Sequence, residues 1–139
     1  TVQEIEETLG FDVLEPGWLP ELVYYSSGAS ADFEMGIAYQ FYGSGSNGLT
    51  IKQYPADLAL DLPVIGATQN VDIVNINGNT GEYIKGVWEG TDKGWVWSPN
   101  PYLQRLRWEQ DGMIFEFMFF GHISRMSKID LIAIAESMH

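Results

Sequence analysis

Residues 103–139 carry the clearest pattern of apolar and polar positions in the chain. Two strand-like stretches flank Asp111-Gly112, a dipeptide that readily adopts the two positive φ angles of a type I′ turn. Counting outward from this turn gives three facing pairs: Trp108 with Phe115, Leu106 with Phe117, and Arg107 with Glu116. One face of the predicted hairpin is therefore apolar, whereas the other carries a cross-strand pair of opposite charges.

A helix is predicted to follow this hairpin. Ser127 and Asp130 form an S-x-x-D helix start, in which each side chain can accept a hydrogen bond from the other residue's amide. An apolar stripe follows at helical spacing, made of Ile129, Ile132, Ala133, Ala135 and Met138. Lys128 and Glu136 fall on the solvent side. We expect the stripe, through Ile132 and Ala135, to lie over the apolar face of the hairpin.

A shorter helix is predicted over residues 2–9. Thr1 and Glu4 fit a capping box at its start. Val2, Ile5 and Leu9 then recur at helical spacing, and Gly10 suits the left-handed position after the helix. Residues 16–20 contain two prolines and a glycine, so we expect a turn there that leads into a strand around residues 22–26.

Two further strands are predicted over residues 36–42 and 49–54. The loop between them, Gly43 to Gly48, matches G-x-G-x-x-G, the fingerprint of dinucleotide-binding folds. That fingerprint requires a following helix whose N-terminus receives the pyrophosphate. Residues 49–54 instead alternate with a period of two, so we interpret the match as a flexible hairpin loop.

The middle of the chain predicts an irregular segment and then another hairpin. Residues 55–70 contain two prolines and little periodicity, which is typical of a surface excursion. Asn77-Gly78 marks a tight turn between strands over residues 71–76 and 80–88. A two-residue turn would place Ile73 opposite Glu82 and Val74 opposite Gly81, which gives no clean apolar face. We therefore expect a longer loop or a bulge.

Together these elements predict one α+β domain over residues 1–139. We expect a single curved, mostly antiparallel sheet of about six strands, with the N- and C-terminal helices packed on one face. A chain of 139 residues is long enough to bury a core of its own.

The segment over residues 88–102 is rich in aromatic side chains. Trp88, Trp95, Trp97 and Tyr102 are spaced by glycines and prolines, and Trp95 and Trp97 would share one face of a strand, with Val96 on the other. These rings are interpreted either as a plug for the open end of a curved sheet or as an exposed surface for an apolar, glycan or protein partner. The plug is favoured, because no set of Asp, Asn and Arg flanks the rings to bind hydroxyl groups.

Composition narrows the class of partner. There are 19 acidic and 7 basic residues and a net charge of −12, so the chain repels phosphate backbones and no nucleic-acid partner is expected. The absence of cysteine excludes disulfides, thiolate ligands and a cysteine nucleophile. The chain begins at Thr1, which suggests a processed protein or part of a longer one, and no apolar run is long enough to span a bilayer.

The sequence predicts no catalytic, cofactor-binding or metal-binding residue. His122 and His139 are the only histidines, which excludes a multi-histidine metal site, and no serine lies in a G-x-S-x-G motif. Asn75, Asn77 and Asn79 resemble a calcium loop loosely, but their order departs from the EF-hand pattern and favours a turn. Paired carboxylates for glycoside hydrolysis stay open, because that mechanism is defined by a separation in space.

Several short motifs, in their order along the chain, resemble one family. They are Gly10-Phe11, Pro16-Gly17-Trp18-Leu19-Pro20, Tyr39, Leu49-Thr50-Ile51-Lys52-Gln53, Asn77-Gly78, Trp108, Asp111-Gly112 and Ile132-Ala133-Ile134-Ala135-Glu136-Ser137-Met138. The chain is similar to a bacterial domain of unknown function that forms the extracytoplasmic part of membrane-anchored, anti-sigma-factor-like and lipoprotein-like proteins. Residues 89–101 have no counterpart in that family. The resemblance implies an extracytoplasmic location and a non-enzymatic role.

Three functions are therefore open. The first is a non-catalytic extracytoplasmic sensing or interaction domain, tethered to a membrane by a segment outside this chain. The second is a carrier of an apolar ligand, similar to lipoprotein-sorting proteins, with a cavity between sheet and C-terminal helix. The third is a glycan hydrolase that uses acidic residues. The predicted contact surface is Trp88, Trp95, Trp97 and Tyr102.

Overall fold

The described part of the chain consists of two helices and nine strands. The computed structural model describes residues 1–21, 27–44, 46–58, 71–122 and 125–139. The helices are α1 (Val2–Leu9) and α2 (Lys128–Glu136). The strands are β1 (Ser27–Asp32), β2 (Ile37–Ser44), β3 (Asn47–Pro55), β4 (Asp72–Ile76), β5 (Asn79–Lys85), β6 (Val87–Thr91), β7 (Gly94–Ser98), β8 (Leu103–Gln110) and β9 (Met113–Phe120).

Seven of these strands form one antiparallel sheet in the order β1-β2-β3-β9-β8-β5-β4, and β6 pairs with β7 separately. The predicted α+β class, with a mostly antiparallel sheet and terminal helices, is confirmed. The expected single sheet of about six strands is wrong, because the described residues form nine strands in two sheets. β1 has the sequence Ser-Gly-Ala-Ser-Ala-Asp, which carries none of the large apolar residues that signal a strand.

The β8–β9 hairpin has the predicted turn and register. Asp111 and Gly112 have φ angles of 52° and 76°, as a type I′ turn requires. The facing pairs are those expected: Trp108 with Phe115, Leu106 with Phe117, and Arg107 with Glu116. Local turn chemistry was therefore sufficient to set the pairing of these two eight-residue strands.

Both helices begin as predicted. The Thr1 hydroxyl accepts from the Glu4 amide and Gly10 ends α1 with φ 79°, and a second capping box joins Ser127 and Asp130. The predicted stripe on α2 is wrong in part, because Ile129 is 78% exposed. The helix instead buries Leu131, Ile134, Ala135 and, just beyond its end, Met138. Apolar residues surround most of this helix, so their spacing alone did not select its buried face.

The two sides of the seven-stranded sheet differ in burial. The Phe117 face is the side of the sheet that carries Phe117 and its cross-strand partners Ile51 and Leu106. It contributes to the larger hydrophobic cluster. The fully buried members of that cluster are Leu49, Ile51, Ile76, Leu106, Phe115, Phe117, Phe119, Met126, Leu131, Ile134 and Ala135. A smaller cluster joins Ile5 of α1, Val13 and Ala38 of β2. The opposite side, the Phe41 face, carries both exposed apolar and charged residues.

Three buried glutamines on the Phe117 face bind irregular backbone. Gln40 Nε2 donates to the Leu14 carbonyl oxygen at 2.7 Å, and the Leu14 amide donates to Gln53 Oε1 at 2.9 Å. Gln104 Nε2 donates to the Met126 carbonyl oxygen at 2.6 Å. These bonds satisfy buried backbone groups in the segments beside α1 and α2, and so attach both segments to the sheet.

The β2–β3 and β4–β5 hairpins differ from expectation in detail. β2 and β3 continue pairing through Gly43 and Gly48, so the hairpin is confirmed but its loop is shorter than predicted. At Asn77-Gly78 the φ angles are 50° and 89°, and Ile73 faces Glu82 as in an unbulged two-residue turn. The expected bulge is wrong, because β4 is an edge strand and tolerates an exposed Ile73. The strand predicted over residues 22–26 and most of the excursion over residues 55–70 lie outside the described residues.

Candidate functional site

Strands β6 and β7, which lie between β5 and β8 along the chain, form a two-stranded ribbon, here called the tryptophan ribbon. Gly86 joins β5 to β6 with φ 143°, and its amide donates to the Leu103 carbonyl oxygen at 2.8 Å. A Cβ on Gly86 would lie 2.5 Å from the Ser98 carbonyl oxygen and from the Trp97 ring. Only glycine fits this junction, where the chain leaves the seven-stranded sheet.

The ribbon places three predicted residues on one side. Trp88 pairs with Trp97 and Gly90 with Trp95, whereas Val96 points to the other side, so the predicted sharing of a face by Trp95 and Trp97 is confirmed. The Trp88 and Trp97 rings meet edge to face with centroids 5.5 Å apart. Trp95 lies farther out, over Gly90, where no side chain competes with its ring.

Exposure separates these aromatic residues into two groups. Trp88 and Trp97 are half-buried, whereas Trp95 is 73% exposed and Val96 52% exposed. Tyr102, also exposed, lies after β7 with its ring centroid 5.7 Å from that of His122. The degree of exposure of Trp95 favours a contact surface over a plug for the end of the sheet.

A cavity of about 320 Å³ lies where the tryptophan ribbon meets the end of β5 and α2. It is lined by Asp72, Tyr83, Ile84, Lys85, Trp97, Pro99 and Lys128. Lys128 Nζ lies 3.1 Å from Asp72 Oδ2 and 5.3 Å from the centroid of the Tyr83 ring. Burial, and secondarily the Asp72 carboxylate, raises the pKa of Tyr83 to about 12. The lysine is thus already engaged by an anion and an aromatic ring.

A second, larger groove lies on the Phe41 face at the end of the sheet. It measures about 530 Å³ and is lined by Ser27, Gly28, Phe41, Tyr42, Gly43, Gly48, Leu49, Thr50, Met118 and Phe120. Phe41, Met118 and Phe120 are 44%, 40% and 51% exposed. Gly48 faces Phe120 and Gly28 faces Phe41. Because glycine has no side chain, these two positions leave space for the groove beside the two rings.

Charged residues continue the same face next to this groove. Lys52 faces Glu116 on β9, and Glu116 faces Arg107 on β8, with Arg107 Nε 3.6 Å from Glu116 Oε1. Lys52 Nζ lies 5.9 Å from the centroid of the Tyr39 ring. Arg105 faces Met118, and burial lowers the pKa of its guanidinium, an effect that the nearby Glu116 carboxylate opposes.

The polar residues weighed as catalytic or metal-binding candidates have structural neighbours. Asn75 Oδ1 accepts from the Gly78 amide at 2.9 Å, and Asn77 Nδ2 donates to the Glu136 carbonyl oxygen at 2.9 Å, so both stabilise the turn. His122 is exposed just after β9. In the described ranges, no group of three or more His, Asp or Glu side chains is placed to hold a metal ion.

Sequence reasoning missed the groove on the Phe41 face. Its walls come from β2 and β9 and its floor from glycines of β1, β2 and β3, which only the pairing of distant strands brings together. One signal was available, because β9 reads Met-Ile-Phe-Glu-Phe-Met-Phe-Phe, with apolar residues on both faces. A strand with that composition is either buried on both sides or exposes an apolar surface.

Comparisons of the chain with protein-family models, curated proteins and solved structures found no match. Neither described helix is long and apolar enough to cross a membrane.

Proposed function

We propose that this chain is a non-catalytic extracytoplasmic sensing or interaction domain of a membrane-anchored bacterial protein. The family resemblance supports the location and the absence of catalysis. The observation that carries the binding role is the exposure of Trp95 and Val96 on opposite sides of the tryptophan ribbon. In this proposal the contact surface consists of Trp88, Trp95, Trp97 and Tyr102, with a protein as partner.

The geometry of the ribbon supports a role in contact. A two-stranded hairpin alone is marginally stable in water, so its apolar side chains are expected to turn inward unless another surface covers them. Trp88 and Trp97 do pack against each other, with their ring centroids 5.5 Å apart. Trp95 and Val96 lie beyond that pair and are open to solvent. Large aromatic residues in such positions dominate the binding energy of many protein interfaces.

The packing of the helices is part of the same proposal. Each hydrophobic cluster joins residues of one helix to residues on the Phe117 face of the sheet, and in the smaller cluster these sheet residues come from β1 and β2. This supports the proposal that α1 and α2 pack on the same side of the sheet. Because the helices would then cover the Phe117 face, the surfaces that stay open for binding are the tryptophan ribbon and the Phe41 face.

A second candidate is a carrier of an apolar ligand, and the groove of about 530 Å³ favours it. The volume falls in the range of small-molecule sites, about 300–1,000 Å³. The site would differ from the expected one, because Leu131 and Ile134 of α2 and Phe117 beneath them are no more than 1% exposed. The favoured place for such a ligand is therefore the Phe41 face.

Location and contact surface can be tested together, because the chain contains no cysteine. Asp92→Cys at the tip of the ribbon and Ile129→Cys on α2 each introduce, at an exposed position, the one thiol of these 139 residues. In the full-length protein, a membrane-impermeant maleimide should label both thiols on intact cells. The thiol at position 92 should react several-fold more slowly on cells than in the purified domain, because a partner covers the ribbon, whereas position 129 should react equally in both.

Two outcomes would refute separate parts of the proposal. If both thiols react only after lysis, the extracytoplasmic location is wrong. If both react equally fast on cells and in the purified domain, the ribbon is not a covered surface in the cell.

A further inference from the structure

The groove on the Phe41 face continues into a basic niche. One cross-strand row runs Gly28, Phe41, Thr50, Met118 and Arg105, from β1 to β8. A small cavity of about 50 Å³, lined by Thr50, Lys52, Arg105, Glu116, Phe117 and Met118, shares Thr50 and Met118 with the larger groove. Five strands spaced by about 4.8 Å place Gly28 and Arg105 roughly 19 Å apart. The row is thus apolar over most of its length and basic at one end.

Among the residues that the structure describes, the charges around this niche leave Arg105 without an ion pair. Two of the seven basic residues in a chain of net charge −12 line the niche, Lys52 and Arg105, and Arg107 lies beside it, opposite Glu116. Arg107 pairs with Glu116 at 3.6 Å and Lys52 lies over the Tyr39 ring. Among the described residues, Arg105 has no ion pair within 4.0 Å. A half-buried guanidinium without a close anion is energetically unfavourable, so an anion that reaches it is bound more tightly than on an open surface.

We propose that this groove binds a fatty-acid anion, with its carboxylate at Arg105 and Lys52 and its acyl chain along Met118, Phe41 and Gly28. A carboxylate suits the guanidinium because two parallel N–H···O bonds can form. It carries one charge, whereas a phosphate monoester carries about −1.5 to −2, which Glu116 and the acidic surface repel more strongly. The acyl chain covers the exposed parts of Phe41, Met118 and Phe120, each 40% exposed or more. The site is separate from the tryptophan ribbon and does not depend on its proposed role.

Calorimetric titration of the 139-residue chain with octanoate, decanoate and dodecanoate, below their micelle concentrations, tests the proposal. Saturable binding of one ligand per chain is expected. The Kd should fall up to about fourfold for each added methylene, which corresponds to about 0.8 kcal/mol per buried CH2. An absence of saturable binding, or a Kd independent of chain length, would overturn the proposal.

Variants of β1 test the position of the acyl chain. A Cβ on Gly28 meets no atom within 4 Å, so a larger side chain can start there, and Gly28→Leu should fill the groove and weaken decanoate binding about tenfold or more. Ser30→Leu adds the same side chain to the same face of β1, two residues from the groove, and should leave the Kd unchanged. Equal Kd values for both variants would place the chain elsewhere. Gly28→Ala is the smaller substitution if the leucine variant fails to fold.

Removal of one charge tests the head-group site. Arg105→Gln should weaken decanoate binding about tenfold, as expected for a charged hydrogen bond, whereas Lys93→Gln, with the same net charge, should not. Decanol should bind the wild type about as weakly as decanoate binds the Arg105 variant. Tighter binding of decyl phosphate than of decanoate would contradict the assignment to a carboxylate.

Trp95→Ala should leave decanoate binding unchanged, because Trp95 lies on the tryptophan ribbon and not in this groove. The fatty-acid proposal and the ribbon proposal can therefore fail independently of each other.

Discussion

The two faces of β9 both carry large apolar residues but have opposite environments. Phe115, Phe117 and Phe119 are each 1% exposed, whereas Met118 and Phe120 on the other face are 40% and 51% exposed. A run of large apolar residues predicts a strand, but it does not show which face is covered. Here the buried residues share a cluster with Leu131 and Ile134 of α2, and the exposed ones line a groove. The first face stabilises the fold, and the second leaves Met118 and Phe120 open to solvent.

The largest effect expected from this comparison is on the free energy of unfolding. Phe117→Ala removes a fully buried ring from the larger hydrophobic cluster and should destabilise the protein by about 3–5 kcal/mol. Met118→Ala, one residue along the same strand, should lower the free energy by less than about 1 kcal/mol, because its side chain is already solvated. Urea denaturation of both variants measures the difference. Similar losses for the two would mean that the Phe41 face is also part of the folding core.

The same contrast shows how far the sequence alone could predict the fold. The Asp111-Gly112 turn and the caps at Thr1 and Ser127 were predicted correctly, because each depends on residues within four positions of one another. The buried face of α2 was not, because Ile129 and Leu131 are equally apolar and only packing against the sheet distinguishes them. Features that depend on contacts between segments distant in the chain therefore could not be predicted from local sequence patterns.

The buried glutamines and the groove are of this second kind. Glutamine is normally exposed, and nothing local in Gln40, Gln53 or Gln104 indicates that each side chain binds backbone of another segment. The floor of the groove likewise depends on glycines of three strands. The tryptophan ribbon was recognised as aromatic from the sequence, but its separation from the main sheet follows from Gly86 and was not predicted.

Buried tyrosines should make stability fall at alkaline pH, a smaller effect than the loss of a core ring, and they lie on both faces: Tyr83 on the Phe117 face and Tyr54 on the Phe41 face. Burial, and secondarily the Asp72 carboxylate, raises the pKa of Tyr83 on the Phe117 face to about 12, from an ordinary value of 10.0. The folded state then holds the phenolic proton more tightly than the unfolded state does. This contribution to stability is complete below pH 10 and is lost as pH rises toward 12.

Unfolding free energies between pH 9 and pH 12 test this expectation, on the principle that the pH slope counts protons released on unfolding. Tyr83→Phe should make the decline shallower, even though it also removes the hydroxyl that donates to Gln104 Oε1 at 2.6 Å. Tyr39→Phe on the Phe41 face is the matched variant and should change the slope less, because Tyr39 is less buried. Equal slopes for wild type and Tyr83→Phe would contradict the assignment.

The smallest expected effect on stability is in the tryptophan ribbon. Trp95→Ala should change the free energy of unfolding by no more than about 0.5 kcal/mol, because the ring is 73% exposed. Trp97→Ala should cost more, since it removes an edge-to-face contact with Trp88 of about 0.5–1.5 kcal/mol together with buried area. A large loss in the Trp95 variant would make that ring a structural element. A neutral Trp95 variant combined with slow labelling at position 92 on cells would instead mean that this indole acts in binding, because folding does not require it.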